Sequence, residues 1–251
     1  MEALAPPGDV LVSWMAMLMI VIARLSFIVF LMPGIGEQVV PVRVRVMVLL
    51  ALAMMIAASG NAALPSASPI SVFGVLLISE IAIGFCLGIA LRLSIWMLSI
   101  AGTIISQSIG LSQLLGVAME REAQTLTANL LSMAGAAIFL SADLHINAVA
   151  ELLRLYGDVP VGAFSVLNWG MLLDNFYSGI NFAVLLAWPF VAVNLLYNIC
   201  LGFINKALPQ LMVAFVGAPL LIGGGMIFLA ISVAALIVVW QDRLTSIIGW
   251  M

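Results

Sequence analysis

Two residues of opposite charge interrupt a long apolar run, and they are the first candidates for chemistry. Glu80 and Arg92 lie in residues 72–105, a run longer than one membrane crossing requires. Charged side chains are costly in lipid, so both are expected to contact protein or a water-filled cavity. They are about three helical turns apart and cannot pair within one helix. We therefore expect Glu80 to be buried against protein, paired with a residue elsewhere.

Two glycines continue the same helix at four-residue spacing. Gly84 and Gly88 follow Glu80 in the segment EIAIGFCLGIALR, which ends near Arg92. A GxxxG pattern lets a second helix approach closely, because neither glycine has a side chain at the contact. The pattern predicts either a specific tight helix contact that includes Glu80 or the generic small-residue packing of membrane helices.

The rest of the chain offers little for catalysis. His145 is the single histidine, and with Asp143 and Asn147 it could belong to a proton relay, but no HExxH pattern accompanies it. The alternative is a residue at a helix start, with Asp143 as the helix cap. Cys86 and Cys200 lie inside apolar runs and suggest neither a disulfide framework nor a metal site. We predict that the protein is not an enzyme and uses no cofactor or metal.

Residues 102–122, GTIISQSIGLSQLLGVAMERE, separate two apolar blocks. Glycine recurs in this segment among uncharged polar residues, which are unsuited to face lipid. The segment is either a mobile element that lines or closes an aqueous path, or an ordinary loop between helices. As a closing element it would contribute these residues: Gly110, Leu111, Leu114, Leu115, Gly116, Val117 and Met119.

Composition assigns the chain to the membrane. Of its 251 residues, 65% are hydrophobic and only 8% are charged, and the mean hydropathy is +1.29. Soluble domains carry roughly 25% charged residues. The net charge of −3 and the lack of a basic cluster argue against nucleic acid as a partner. The acidic N-terminus and the long run after it differ from a signal peptide, and we expect no appended soluble domain.

Six apolar runs are separated by polar segments, and we predict an all-α fold of membrane-associated helical hairpins. Two runs, 46–58 and 126–140, look too short for a bilayer, and two, 72–105 and 172–204, look too long. Proline and glycine at residues 33–41 exclude a continuous helix there. Pro189 and Pro219 are expected to break the last two runs. Residues 143–160 predict an amphipathic helix.

The C-terminal third carries the most specific pattern. It contains an N-x(7)-G block that begins at Asn194, then a P-Q-L-x-V-x-x-x-G-x-P core that begins at Pro209, and further glycines at residues 223–225. This pattern resembles the FliR family of flagellar export proteins. Three earlier segments are similar to that family in the same order: ARLSFIVFLMPGIGEQVVPVRVR, ISEIAIGFCLGIALRL and AGTIISQSIGLS. The chain departs from the family after its Gly-Leu pair, where LLGVAMERE replaces the usual Asp-Pro.

The resemblance implies a pore-forming core subunit of the flagellar type III export gate, in the bacterial inner membrane at the flagellar basal body. It implies a single domain over residues 1–251, with a FliP-like part in roughly 1–165 and a FliQ-like part in roughly 166–251. FliP-like, FliQ-like, FlhB-like and FlhA-like proteins would be partners, together with membrane lipid and unfolded export substrates in transit. The central segment would be the plug of the closed pore.

Subunit contacts are expected along the glycine stripe and the C-terminal pattern. The predicted contact residues are Glu80, Gly84, Gly88, Arg92, Pro209, Gln210, Leu211, Phe215, Gly217 and Pro219. Two alternatives remain open at this point. One is an injectisome export-gate subunit, and the other is a stand-alone secondary transporter with a site near Glu80 and Arg92.

Overall fold

The fold is all-α, as the sequence predicts. The structure, a computed structural model, describes residues 7–59, 70–110, 120–164, 169–207 and 213–249. These residues form seven helices and no strand. The helices are α1 (Pro7–Leu31), α2 (Val42–Ser59), α3 (Ile70–Ile109), α4 (Glu120–Ser141), α5 (Leu144–Asp158), α6 (Trp169–Ala207) and α7 (Val213–Ile248).

The chain divides into two compact units. The first contains Met1–Arg92, Phe139–Asn175 and Thr245–Met251, and the second contains Leu93–Ile138 and Phe176–Leu244. The predicted FliP-like part (roughly 1–165) and FliQ-like part (roughly 166–251) rest on the resemblance to those proteins. The two compact units do not test that division, so it remains a prediction.

Within the residues that the structure describes, five helical segments are long and apolar enough to cross a membrane. They are Leu11–Leu31, Val42–Ser59, Val72–Ile109, Leu172–Ala207 and Gly217–Ile248, with mean hydropathies from 1.9 to 2.6. A sixth candidate consists of Leu126–Ser141 and Leu144–Asp158, which are bent by 68° at the break between them. The chain is thus an integral membrane protein by the length and composition of its helices.

The second apolar run is longer than the sequence suggested. Helix α2 begins at Val42, directly after Pro41, and its 18 residues are sufficient for a crossing. The prediction of a short run at 46–58 was wrong because it left two arginines outside the helix. The Arg45 side chain instead folds back onto the preceding turn, where Nη2 donates to the carbonyl oxygens of Glu37 and Val40 at 2.7 and 2.8 Å. The predicted interruption at residues 33–41 is confirmed.

The break between α4 and α5 lies at Asp143, which adopts a left-handed conformation with φ of 56°. Asp143 occupies the N-cap position of α5, but its side chain makes no capping hydrogen bond. The prediction of a side-chain cap was therefore wrong. The backbone caps instead, since the N–H of Ile146 donates to the Asp143 carbonyl at 3.0 Å. The amphipathic helix itself is confirmed as α5, and His145 is its second residue.

Two prolines lie inside helices without interrupting them. Pro189 is within α6, which has 39 residues, and Pro219 is within α7, which has 36. The expected breaks at these positions are absent. A proline removes one backbone donor and crowds the preceding turn. In apolar surroundings the neighbouring backbone groups have no partner outside the helix, so the helical bonds resume on both sides.

The second unit is built around a tryptophan. Trp240 of α7 is fully buried, and its Nε1 donates to the backbone oxygen of Ser94 at 2.7 Å. The ring lies against Gly135 of α4, where an added Cβ would be 3.3 Å from the nearest ring atom. Gly102 of α3 lies against the backbone of Ala128 in the same way. Small residues thus allow α3, α4 and α7 to surround one large side chain.

Candidate functional site

A fully buried ion pair occupies the centre of the first unit. Arg24 of α1 and Glu80 of α3 are both completely excluded from solvent. Arg24 Nε donates to Glu80 Oε2 at 2.5 Å, and Nη2 donates to Oε1 at 3.0 Å. This two-pronged geometry is the strongest that a guanidinium and a carboxylate can form. The expectation that Glu80 is buried against protein and paired is confirmed, and its partner belongs to the same chain.

The pair also binds the segment that follows α5. Arg24 Nη1 donates to the carbonyl of Val159 at 3.0 Å, and the N–H of Gly162 donates to Glu80 Oε1 at 2.9 Å. Gly162 has φ of +82°, a left-handed conformation that favours glycine. The Arg24 guanidinium lies 4.3 Å from the centre of the Tyr156 ring, within reach of a cation–π attraction. We call these five residues the buried charge cluster.

The two glycines of α3 bring the ion pair together. A Cβ at Gly84 would overlap the backbone oxygen of Arg24, and one at Gly88 would lie 2.7 Å from the backbone oxygen of Phe27. Both glycines therefore face α1 in direct backbone contact. The specific reading of the GxxxG pattern is confirmed for a contact within the chain. A contact with another subunit through these residues remains a prediction.

Arg92 forms a second ion pair, separate from Glu80. Its Nη1 donates to Glu37 Oε1 at 2.6 Å, and the two side chains remain 22% and 27% exposed. Glu37 lies in the turn between α1 and α2. Each of the two charges that the sequence singled out in α3 thus has its own partner. Glu80 and Arg92 are therefore not paired with each other.

Of the predicted plug residues, the structure describes Gly110. It follows the last residue of α3, is buried, and has φ of +75°; its N–H donates to the Gln107 carbonyl at 3.2 Å. A left-handed glycine directly after a helix is a common C-terminal signal. The other six predicted plug residues lie outside the described part of the chain: Leu111, Leu114, Leu115, Gly116, Val117 and Met119.

The C-terminal contact residues are described only in part. Pro209, Gln210 and Leu211 lie outside the described residues, and so does the side chain of Phe215. Gly217 is buried in the first turns of α7 against the ring of Tyr197, which a side chain at Gly217 would displace. Pro219 is exposed. Among the residues that the structure describes, no group of three or more His, Cys, Asp or Glu side chains could hold a metal ion.

Comparison with known proteins assigns the family. A sequence model of the bacterial export proteins, family 1, matches residues 15–247. The chain belongs to this family. It is 32% identical over 233 residues to the flagellar biosynthetic protein FliR of Caulobacter vibrioides, with 89% of this chain and 91% of that protein covered. The FliR proteins of Aquifex aeolicus and Escherichia coli are each 27% identical, over 222 and 225 residues, and cover 88% and 87% of this chain.

The matched region of this FliR-family chain includes the whole buried charge cluster. Sequence reasoning identified Glu80 and its glycines but missed Tyr156, Val159 and Gly162, because backbone groups and an aromatic face carry no spacing signal. The partner Arg24 could have been found. Arg24 is the single charged residue in the first apolar run, and Glu80 is the first charged residue in the third apolar run. Two isolated opposite charges in separate apolar helices are expected to pair.

Proposed function

We propose that the chain is a pore-forming core subunit of the flagellar type III export gate, which passes unfolded flagellar substrates across the inner membrane at the basal body. The family match over residues 15–247 carries this proposal, together with relatives that are all named flagellar biosynthetic protein FliR. The role is passage and assembly, with no catalytic step assigned to the chain. FlhA-like and FlhB-like proteins would act beside it.

We expect the chain to have FliP-like and FliQ-like partners, and the exposed apolar faces of the last two helices are consistent with this expectation. Only 17% of the most apolar window of α6 and 11% of that of α7 is buried. Large side chains on these faces are exposed, among them Leu195, Leu196 and Phe203 of α6 and Ile227 and Ile231 of α7. A chain of this composition gains stability when lipid or other subunits cover such faces.

Co-expression tests the assignment to a gate assembly. The chain should purify as one complex with FliP-like and FliQ-like proteins of the same bacterium, and deletion of its gene should abolish swimming and secretion of flagellar proteins. A chain that purifies alone, with full solute transport activity and no effect on secretion, would instead be a stand-alone transporter. A deletion strain that loses virulence-factor secretion but swims normally would indicate the injectisome branch.

A test of the pore concerns residues 110–119. We propose that Leu111, Leu114 and Leu115 pack into a constriction and that Gly110 and Gly116 allow it to rearrange. Deletion of residues 111–117 should leave the complex assembled but permeable to small ions, so that vesicles containing it lose a trapped dye. A deletion complex that assembles and stays as tight as wild type would show that this segment does not seal a pore.

The proposed subunit contact at the start of α7 is tested by photocrosslinking. A photoreactive residue at Leu211 or Phe215 should capture a partner export protein in membranes that contain the whole apparatus. The matched control is Ser246, an exposed polar residue near the C-terminal end of α7. Capture of lipid alone at both Leu211 and Phe215 would remove this block from the contact.

A further inference from the structure

A polar cavity interrupts the apolar surface of the second unit. Its volume is about 290 Å³, and it lies among the end of α3, the C-terminal half of α6 and the first turns of α7. Its volume corresponds to that of roughly ten water molecules in the liquid, which is more space than one side-chain contact needs. Polar lining comes from Gln107, Asn194, Tyr197 and Asn198, while Leu201 contributes apolar surface.

Among the residues that the structure describes, the cavity is lined by amides, hydroxyls and apolar groups, and none of these lining residues is charged. Asn198 Nδ2 donates to both the backbone oxygen and the Oδ1 of Asn194, at 2.9 Å each. The hydroxyl oxygen of Tyr197 is buried and has no hydrogen-bond partner within the described part of the chain. A buried hydroxyl without a partner is costly, so it is expected to find one when the protein is at work. Asn198 and Gln107 are exposed. The bond between the two asparagines occupies Asn198 Nδ2 and Asn194 Oδ1, so Asn198 Oδ1 and Asn194 Nδ2 are the groups expected to meet a ligand.

These properties select the kind of ligand. A bare ion is a poorer fit than a neutral ligand, because none of the described residues that line the cavity carries a charge to neutralise it. A packed helix is a poor fit, since its backbone groups are already paired and it would present mostly apolar side chains. An extended polypeptide fits, because its backbone N–H and C=O groups are free and need partners in apolar surroundings. Asn and Gln side chains carry the same donor and acceptor groups as a peptide bond.

The spacing of the two asparagines agrees with an extended chain. Asn194 and Asn198 are four residues apart on α6, which corresponds to a rise of about 6 Å. Alternate residues of an extended chain are about 6.6 Å apart, so peptide groups that point the same way recur at nearly the same interval. Two peptide groups that point the same way can therefore meet Asn194 Nδ2 and Asn198 Oδ1, one each.

We infer that this cavity binds an unfolded polypeptide through its backbone, without regard to its sequence, as the polypeptide passes the gate. The inference rests on the proposed function, because an export substrate is the unfolded chain in question. Uncharged amides bind acidic and basic segments alike, and a few neutral hydrogen bonds hold the chain weakly enough to release it. The site thus suits a surface that must accept many sequences.

Site-directed photocrosslinking tests the inference in cells that contain the complete export apparatus. A benzophenone amino acid replaces Asn198, and a flagellar export substrate fused to a stably folded domain is stalled during passage. The control position is Leu196, which is 63% exposed on the opposite face of the same helix. The stalled substrate should form an adduct with position 198 and none with position 196.

The outcomes separate this site from the proposed function. If the stalled substrate purifies with the gate complex but the adduct at position 198 contains only another gate subunit, only lipid or nothing, the inference is overturned and the export role stands. If the substrate does not purify with the complex at all, both fail. An adduct of equal yield at positions 196 and 198 also overturns the inference, because the contact would not depend on the cavity.

A pair of substitutions gives a second measurement. Asn194→Leu combined with Asn198→Leu removes both amides at a surface already rich in leucine, so assembly should be unchanged. The secretion rate should fall about tenfold, the effect of two net hydrogen bonds to the passing chain. The matched control is Asn181→Leu, at an exposed asparagine of the same helix outside the cavity, and it should leave the rate unchanged. An assembled double-leucine complex with wild-type secretion would overturn the inference.

Discussion

Removing the Glu80 carboxylate should destabilise the protein more than any change to an exposed charge. Glu80→Met keeps the volume of the side chain but leaves the Arg24 guanidinium fully buried without its anion. Removing one partner of a buried ion pair costs about 3–5 kcal/mol, because the remaining charge is neither solvated nor paired. The carbonyl of Val159 and the ring of Tyr156 still contact Arg24, but neither carries the neutralising charge.

The loss is measured as the midpoint of thermal unfolding of the detergent-solubilised chain. At about 2–4 °C per kcal/mol for a chain of this size, Glu80→Met should lower the midpoint by roughly 6–20 °C. Arg24→Met should have a similar effect, because it leaves the carboxylate buried and unpaired. The double variant removes both charges and leaves the Val159 carbonyl and the Gly162 N–H without these partners, at about 1–3 kcal/mol each. Each single variant already loses one of these two bonds in addition to leaving a buried charge unpaired.

The double variant should therefore be more stable than either single variant. Arg154→Met is the control, since Arg154 is 73% exposed and its ion pair with Glu151 contributes about 0–1 kcal/mol. A Glu80→Met midpoint within about 2 °C of wild type would refute the reasoning. A double variant that is less stable than both single variants would also refute it, because the backbone bonds would then outweigh the charges.

Three further outcomes are expected. Gly84→Val should abolish stable folding, because its side chain would overlap the backbone of α1. The control Gly74→Val, in open space, should keep the yield of folded protein near wild type. Equal yields of the two variants would contradict the close contact at Gly84. Glu37→Gln should cost about 1 kcal/mol or less, because the pair with Arg92 is partly exposed, and a much larger fall in the unfolding midpoint would count against that weak role. Trp240→Phe should cost about 1–3 kcal/mol through the lost indole hydrogen bond and ring volume, measured by the same midpoint; an unchanged midpoint would show that the indole bond contributes nothing.

The sequence predicts the helices well and their ends poorly. Apolar runs and the proline-rich turn after α1 identify the all-α membrane fold, because no other structure satisfies the backbone of such runs in lipid. The ends depend on single side chains. From composition alone, Arg45 marks the edge of the second apolar run. In the structure its side chain binds the carbonyl oxygens of the preceding turn, and α2 includes it. Pro189 and Pro219 count as helix breakers in water but are tolerated in apolar helices.

The buried charge cluster was half predictable. Isolated charges in apolar runs indicate that Glu80 and Arg24 need partners, and GxxxG indicates a helix close to α3. The choice of α1 as that helix depends on three-dimensional packing across a separation of 56 residues. Gly162 and Val159 contribute backbone groups, which every residue possesses, so no residue type marks them in advance.

The buried ion pair has a consequence for how the chain enters the membrane. Arg24 is made 56 residues before Glu80 and 135 residues before Val159. At synthesis rates of about 5–20 residues per second, Glu80 is synthesised roughly 3–11 s after Arg24. During that time α1 alone would carry an unpaired charge into lipid at a cost of about 2.5–3.5 kcal/mol. We therefore expect α1 to stay at the insertion machinery until α3 emerges, so that the two helices are released into the bilayer together.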